Sequence, residues 1–289
     1  MAIIIDGKKV AAEVRARVAA GSAEFLCKHG RRPRLAVIRV GDDAASAIYV
    51  RNKMRACAEV GFDSEDCILP DGITQEELIG EIEKRNTAPE VDGILLQLPI
   101  PKGYDTAAAI AAVAPEKDVD AFGNLDAGHL RFSDSEILPC TPAGIMELLR
   151  RYDIPVAGRE CVVIGRSDIV GRPMAALLLA ADGTVTVCHS KTRDLASITR
   201  RADILVSAVG RARLVKGDMV KPGAAVIDVG MNRGADGKLC GDVDFVSVEP
   251  VAGYITPVPG GVGPMTVAML MQNTLTAARR RAKKIYDEK

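Results

Sequence analysis

The sequence predicts a two-domain α/β protein: an N-terminal domain with a mostly parallel sheet, a Rossmann-like C-terminal domain, and a cleft between them. Short apolar runs alternate with amphipathic stretches along the whole chain, which is typical of strands alternating with helices. The 289 residues are enough for two domains of ordinary size. Hydrophobic residues make up 48% of the chain but aromatic residues only 3%, so the core consists of small aliphatic side chains, as in buried parallel sheets.

The first half contains three strand-helix pairs. Strands are predicted at 35–40, 67–69 and 91–98, and helices at 44–60, 74–86 and 106–113. Gly61 supplies a helix stop, and Thr74 with Glu77 forms a capping box at the start of the second helix. This βαβαβα order predicts parallel strands joined by right-handed crossovers.

The pattern is less regular over 115–142, which we interpret as a linker, and then restarts. Helices are predicted at 142–151, 170–181 and 193–201, and strands at 161–164, 184–188, 204–208, 225–229 and 254–255. We therefore assign residues 1–138, together with a C-terminal helix at 270–289, to one domain. Residues 139–269 form the second domain.

Residues 256–266 read Thr-Pro-Val-Pro-Gly-Gly-Val-Gly-Pro-Met-Thr, with three prolines and three glycines. Proline restricts the backbone and glycine permits unusual conformations, so the segment specifies a particular path. A helix follows over 265–284, with Gly263 as N-cap and Pro264 as its first residue. A plain strand-to-helix connector is the alternative, but the density of these residues favours a ligand contact at the helix N-terminus.

Charge and cysteine usage exclude several classes of protein. Basic and acidic residues number 38 each, which argues against nucleic acid or an anionic membrane as the main partner. The seven cysteines form no Cys-x-x-Cys motif, and the three histidines have no zinc-ligand spacing, so we expect neither disulfides nor a metal. No apolar run approaches the roughly 18 residues of a membrane span. We expect a soluble cytoplasmic protein.

A nucleotide site is predicted where strand 161–164 runs into Gly-Arg-Ser-Asp-Ile-Val-Gly-Arg-Pro, residues 165–173. A small-residue turn between a strand and a helix places a pyrophosphate on the helix N-terminus. The motif is not a strict Gly-x-Gly-x-x-Gly, because Ser167 replaces the middle glycine and Gly171 lies one position late.

The cofactor is predicted to be NADP. An NAD enzyme would place a carboxylate at the end of the second strand, roughly 20 residues on. Here that strand ends Cys-His-Ser-Lys, with no carboxylate. Ser190, with Arg166 and Lys191, suits a 2′-phosphate instead, although Lys191 and Arg193 could equally be ordinary solvated charges.

Polar residues in the first half meet the carboxyl edge of the predicted sheet. Tyr49 and Lys53 are four residues apart and share a helix face, and Gln97 ends strand 91–98. Asp118 and Asp120 follow along the chain. A lysine in a water-poor cleft has a lowered pKa and can transfer protons. By itself, however, a Tyr/Lys pair of this spacing is usually a surface feature.

Six segments in order carry a family resemblance that covers nearly the whole chain: 49–53 (Tyr-Val-Arg-Asn-Lys), 93–99 (Gly-Ile-Leu-Leu-Gln-Leu-Pro), 117–120 (Lys-Asp-Val-Asp), 139–142 (Pro-Cys-Thr-Pro), 165–173 and 257–266. Together they strongly resemble the bifunctional methylenetetrahydrofolate dehydrogenase/methenyltetrahydrofolate cyclohydrolase family. The resemblance implies NADP-dependent oxidation of 5,10-methylenetetrahydrofolate, followed by hydrolysis of the methenyl product to 10-formyltetrahydrofolate. It also implies a homodimer formed through the nucleotide domain.

The resemblance implies residue roles as well. Lys53 would be the main catalytic group of the hydrolysis, tuned by Gln97, with Tyr49 lining the site and Asp120 anchoring the pterin. No metal is needed, because the methenyl carbon is already an electrophilic cation. The implied cofactor residues are Gly165, Arg166, Ser167, Ser190 and Met231. The implied remaining folate contacts are Leu98, Pro99, Pro259, Gly260, Gly261, Val262, Gly263, Pro264 and Thr266.

One departure from the family pattern is visible, because Ala121 stands where the family usually has glycine. Alanine would be strained there if the position needs a positive φ. Three other readings stay open: a dehydrogenase-only folate enzyme, an NADP reductase of another small substrate, and a non-catalytic folate or nucleotide sensor. Retention of Lys53, Gln97 and Asp120 argues for catalysis of both steps.

Overall fold

The structure is a computed structural model that describes residues 1–41, 43–123, 136–234 and 237–287. These residues divide into two compact units. The first, called the six-stranded unit, contains 1–12 and the described residues of 139–266. The second, called the three-stranded unit, contains the described residues of 13–123, with 136–138 and 267–287.

The elements alternate along the chain as the sequence predicts. In order they are β1 (Ile3–Ile4), α1 (Gly7–His29), β2 (Arg34–Val40), α2 (Ala44–Glu59), β3 (Asp63–Leu69), α3 (Gln75–Thr87), β4 (Gly93–Leu96), α4 (Thr106–Ala111), α5 (Cys140–Arg151), β5 (Glu160–Ile164), α6 (Gly171–Ala180), β6 (Thr184–Cys188), α7 (Leu195–Thr199), β7 (Ile204–Ser207), β8 (Ala225–Asp228), β9 (Asn232–Arg233), β10 (Leu239–Cys240), α8 (Phe245–Val248), β11 (Tyr254–Ile255) and α9 (Val262–Asp287).

The three-stranded unit has the parallel sheet β3-β2-β4. Its core is aliphatic, with Ile38 and Leu96 on the strands packed against Leu78 and Ile82 of α3. The predicted capping box opens α3: the Thr74 hydroxyl accepts from the Glu77 N–H (3.1 Å), and the Glu77 carboxylate accepts from the Thr74 N–H (2.7 Å). Strand β3 is four residues longer at its start than predicted, because an edge strand tolerates polar residues.

The six-stranded unit has the fully parallel sheet β1-β11-β8-β7-β5-β6. Val162, Leu205 and Val226 on its central strands are completely buried. The hairpin β9-β10 stands apart as a small antiparallel pair. The parallel α/β architecture expected for both halves is therefore confirmed.

The first twelve residues differ from the sequence-based assignment, which placed them with the first half. Ile3 and Ile4 pair in parallel with Tyr254 and Ile255, so they form the edge of the six-stranded sheet. Helix α1 was also missed, although its buried Val10, Val14 and Val18 recur every four residues, the spacing of one helix face.

The last helix begins earlier than predicted. Helix α9 starts at Val262, so Gly263 and Pro264 lie inside its first turn rather than at the N-cap and first positions. The first N–H groups of a helix have no partner within the helix, so a proline there removes no helical hydrogen bond. The helix consequently extends back into the Pro/Gly segment.

Candidate active site

Lys53 and Gln97 form the central contact of the three-stranded unit. The Lys53 ammonium donates to the Gln97 side-chain carbonyl at 2.9 Å, and the Gln97 amide donates to the Leu98 carbonyl at 2.6 Å. Gln97 is 8% exposed, whereas Lys53 is half-buried. The amide is therefore held at both ends, and it fixes the position of an ammonium group that solvent still reaches.

Local structure places both side chains at the same edge of the sheet. Asp43 caps α2 by accepting from the Ser46 N–H (2.7 Å), which starts the helix directly after β2. Gln97 follows β4 and stays in register, because its N–H donates to the Ile38 carbonyl on β2 (2.8 Å). The Lys53–Gln97 contact thus lies at the carboxyl ends of parallel strands, where open α/β sheets bind ligands.

Tyr49 lies one helical turn before Lys53 and is 45% exposed. Leu98 is half-buried and Pro99 exposed, and a cis peptide bond joins them. Tyr49, Leu98 and Pro99 are close to Lys53 or Gln97 in the chain. Each is exposed or half-buried, so a ligand can reach them.

The segment 117–120 extends the same sheet. Asp118 bridges Ile94 in parallel, and the Ile94 N–H donates to the Lys117 carbonyl at 2.7 Å. Because this segment runs parallel to β4, Asp120 emerges at the edge where Gln97 emerges. Asp120 is half-buried and lines a small cavity with Asp118, Phe122 and the aliphatic side chains Ile94, Leu96, Ile110 and Val113.

Asp118 builds the turn behind Asp120. Its two carboxylate oxygens accept from the N–H groups of Ala121 (2.9 Å) and Gly123 (2.8 Å). Burial raises the pKa of Asp118 to about 6, although these backbone donors act to lower it. Ala121 has φ +57°, so the position does require the left-handed conformation that alanine adopts at a cost of roughly 1–2 kcal/mol.

Two supporting residues were missed from the sequence. Lys117 is 2% exposed, and its ammonium donates to the carbonyls of Arg85 (2.8 Å) and Ala88 (2.7 Å); burial lowers its pKa to about 8. Asn273 in α9 donates to the carbonyls of Val119 (2.9 Å) and Leu138 (2.8 Å). In the sequence, the only sign of Asn273 is that it is a polar residue within an apolar stretch of helix. Nothing in the sequence marks Lys117 as a buried lysine.

The Pro/Gly segment belongs to the six-stranded unit. The Gly260 carbonyl accepts from the Lys8 N–H (3.1 Å), and the hydroxyls of Thr266 and Thr141 are 2.9 Å apart. A Cβ at Gly263 would lie 4.0 Å from the Met231 sulfur, so the segment reaches the cofactor residue inferred at the end of β8. Pro259 and Gly263 are exposed, Gly260 and Pro264 half-buried, and Gly261 and Val262 buried.

The turn after β5 has the shape of a phosphate cradle. Gly165 has φ +124°, and a Cβ there would overlap the Ala208 carbonyl, so only glycine fits. The Ser167 hydroxyl accepts from the N–H groups of Val170 and Gly171 (3.3 Å each) at the start of α6. The first N–H groups of a helix suit an anion, and here the Ser167 hydroxyl accepts from two of those of α6.

The end of β6 fits a 2′-phosphate. Gly165 donates to the Cys188 carbonyl (2.9 Å), so the turn 189–192 lies beside the cradle. Ser190 is exposed on that turn, and Arg166 is exposed on the cradle. Asp194, the first carboxylate after the strand, accepts from the Ser197 N–H (3.2 Å) as the cap of α7. The donor set therefore fits NADP, and Met231 beyond β8 is 49% exposed on the same sheet edge.

Over the described residues, the chain offers neither a metal-binding cluster nor a membrane-spanning helix. No group of three or more His, Cys, Asp or Glu side chains in that part of the chain could hold a metal ion. None of the helices over these residues is long and apolar enough to cross a membrane.

Comparisons with known proteins cover both units. Residues 5–120 match the catalytic domain of tetrahydrofolate dehydrogenase/cyclohydrolase, and residues 139–282 match the NAD(P)-binding domain of the same family. The bifunctional protein FolD of Burkholderia thailandensis is 55% identical over 281 residues, which are 97% of this chain and 98% of that protein.

Solved structures agree. The bifunctional dehydrogenase/cyclohydrolase FolD of Campylobacter jejuni superposes with a TM-score of 0.94 at 46% identity, over 97% of this chain and 100% of that one. The Trypanosoma brucei enzyme, solved with NADP cofactor and inhibitor, has a TM-score of 0.92 at 42% identity, over 97% and 98% of the two chains.

Proposed function

The chain belongs to the tetrahydrofolate dehydrogenase/cyclohydrolase family, and we propose that it oxidises 5,10-methylenetetrahydrofolate and then hydrolyses the methenyl product to 10-formyltetrahydrofolate. The observation that carries this proposal is the Lys53–Gln97 contact at the carboxyl edge of the three-stranded sheet. Oxidation alone would need no ammonium group held there by an amide.

NADP⁺, when bound, supplies the hydride acceptor of the oxidation. Gly165 lets the backbone turn tightly, and the N–H groups of Val170 and Gly171, which donate to the Ser167 hydroxyl, would be available to the pyrophosphate. Arg166 and Ser190 would hold the 2′-phosphate, and Met231 would lie toward the nicotinamide end. The absence of a free carboxylate on the turn after β6 supports NADP over NAD.

The hydrolysis step requires a water proton to leave as oxygen adds to the methenyl carbon. In its neutral form, the Lys53 amine can donate one N–H to Gln97 and take this proton on its lone pair. The hydroxyl of the adduct then loses its proton as the C=O bond forms and the ring C–N bond breaks, and the leaving nitrogen takes up a proton, so one proton is released overall. Gln97 orients Lys53 through the 2.9 Å hydrogen bond. Tyr49, Leu98 and Pro99 would contact the substrate around this pair.

The pterin ring is assigned to Asp120. A carboxylate accepts two parallel N–H donors from the guanidine-like edge of the ring. Asp118 orders the turn that carries Asp120. By the same family resemblance, the segment 259–266 is assigned to the folate, through Pro259, Gly260, Gly261, Val262, Gly263, Pro264 and Thr266. We further propose a cytoplasmic homodimer.

Substitution of Lys53 tests this assignment. We expect Lys53→Met to lower methenyl hydrolysis by about 10²–10⁴-fold, the range of general acid–base catalysis. Lys53→Arg keeps the charge but cannot release a proton at neutral pH, so it should be impaired as strongly. Arg55→Met removes an exposed charge from the opposite face of α2 and is the control.

The variants should bind a folate ligand with wild-type affinity, measured by calorimetry. Wild-type hydrolysis in Lys53→Met would refute the role given to Lys53. Oxidation without any catalysed hydrolysis in the unmodified protein would instead favour the dehydrogenase-only alternative.

A further inference from the structure

We propose that Asp242, supported by Asp228, is a positioning residue that fixes the two loops following β7 and β8 for cofactor binding. The inference rests on the proposed function, because it assigns the nicotinamide side of the cofactor to these loops. Neither carboxylate is among the residues that the sequence motifs single out.

Asp242 is completely buried and accepts five hydrogen bonds from three places in the chain. One oxygen accepts from the Arg211 N–H (2.8 Å) and the Asn232 amide (2.9 Å). The other accepts from the N–H groups of Val209 (2.8 Å) and Gly210 (3.2 Å), and from the Ser207 hydroxyl (3.3 Å). Three consecutive amides of the loop after β7 therefore converge on one side chain.

Asp228, at the end of β8, holds Asp242 in place. It is 3% exposed, and its oxygens accept from the N–H groups of Gly230, Asp242 and Val243, each at 2.9 Å. The packing leaves no room for side chains. A Cβ at Gly230 would overlap the Asp242 carboxylate, and one at Gly241 would overlap the Asp228 carboxylate.

Residues 209–211 belong to no helix or strand, and their hydrogen bonds to Asp242 hold them in place. Strand β7 lies between β5 and β8, so the loop 209–211 stands beside the Gly165 cradle at the carboxyl edge of the sheet. Met231 lies between two anchored residues: Gly230 is bonded to Asp228, and Asn232 to Asp242. Buried carboxylates therefore hold the residues on both sides of the exposed Met231.

Asp242→Asn tests the proposal with almost no change in shape. The amide replaces one oxygen by an NH₂ group, which faces N–H donors in either orientation, so at least two hydrogen bonds are lost. Since bonds to a charged group contribute about 1.5–3 kcal/mol each, we expect the Kd and KM for NADP⁺ to rise at least about tenfold. The KM for methylenetetrahydrofolate should stay within about twofold, a selectivity that general destabilisation would not produce.

Two further variants keep the experiment decisive. Asp244→Asn makes the same change two residues away, where the side chain makes no cap bond, and is the matched control. Asn232→Ala removes a single bond to Asp242 and should raise the Kd for NADP⁺ about two- to tenfold, even if Asp242→Asn fails to fold.

Hydrogen exchange of the 209–211 amides gives a readout that is independent of activity. We expect faster exchange at these amides in Asp242→Asn and unchanged exchange in Asp244→Asn. Unchanged exchange and unchanged NADP⁺ affinity in a folded Asp242→Asn protein would overturn the inference. Failure of the unmodified protein to bind NADP⁺ would refute the proposed cofactor instead, while the exchange comparison would still test the anchoring.

Discussion

Replacement of Gln97 by leucine should reveal how the lysine of the three-stranded unit is controlled. The Lys53–Gln97 hydrogen bond is 2.9 Å long and the amide is 8% exposed, so water cannot readily replace it. A hydrogen bond to a charged group contributes about 1.5–3 kcal/mol. If that bond orients Lys53 in the transition state, Gln97→Leu should slow methenyl hydrolysis about 10- to 150-fold.

A double-mutant cycle separates this effect from general damage. In the Lys53→Met protein, the Gln97 side-chain carbonyl no longer has a lysine to accept from. Adding Gln97→Leu should therefore slow hydrolysis almost no further. Hydrolysis is followed by loss of methenyl absorbance, with the uncatalysed rate subtracted and thermal unfolding recorded for each variant. Gln75→Leu is the control, because Gln75 also makes two hydrogen bonds, to the backbone of Asp105.

Additivity would refute the reasoning. If Gln97→Leu slowed the Lys53→Met protein by the same factor as the wild type, Gln97 would act independently of Lys53. Gln75→Leu should change the rate less than about twofold.

Two other predictions concern the cofactor and the turn behind Asp120. Arg166→Gln should raise the Kd for NADP⁺ about 10- to 150-fold, because it removes a charged donor to the 2′-phosphate. Calorimetry should show a much smaller change in the Kd for NAD⁺. An equal loss of affinity for both cofactors would contradict this role of Arg166. Asp118 has its pKa raised by burial from 3.8 to about 6, so the folded state favours its protonated form. Its stabilising contribution is present below pH 3.8 and is lost as pH rises through 6. The stability of the wild type relative to Asp118→Asn should therefore fall by about 2 kcal/mol between pH 4 and 7 in urea unfolding, and a rise would show that the fold lowers the pKa of this carboxyl group instead of raising it.

The fold follows largely from local pattern. Apolar runs such as β2 and β5 are buried on both faces, so their sequences mark them clearly. Two-residue strands such as β1 leave no periodic signal, because their pairing depends on β11, about 250 residues away. Edge strand β3 was predicted short because polar residues facing solvent conceal its start.

The placement of the candidate residues could be predicted where each follows a clear helix or strand signal. Lys53, Gln97 and Asp120 come after helix or strand signals that place them at one sheet edge. Asp242 and Lys117 could not be found this way, because their roles depend on backbone donors and carbonyls brought close only by folding. The requirement for a positive φ at Ala121 was visible only through the family glycine, and the structure confirms it.

The most direct measurement follows both steps in one sample of purified protein, methylenetetrahydrofolate and NADP⁺. We predict NADPH formation together with a methenyl signal that decays faster than its uncatalysed hydrolysis, and much slower turnover with NAD⁺. NADPH formation with methenyl accumulating at the uncatalysed decay rate would contradict the role of Lys53 and Gln97. Silence in both signals would contradict catalysis itself and favour a binding protein.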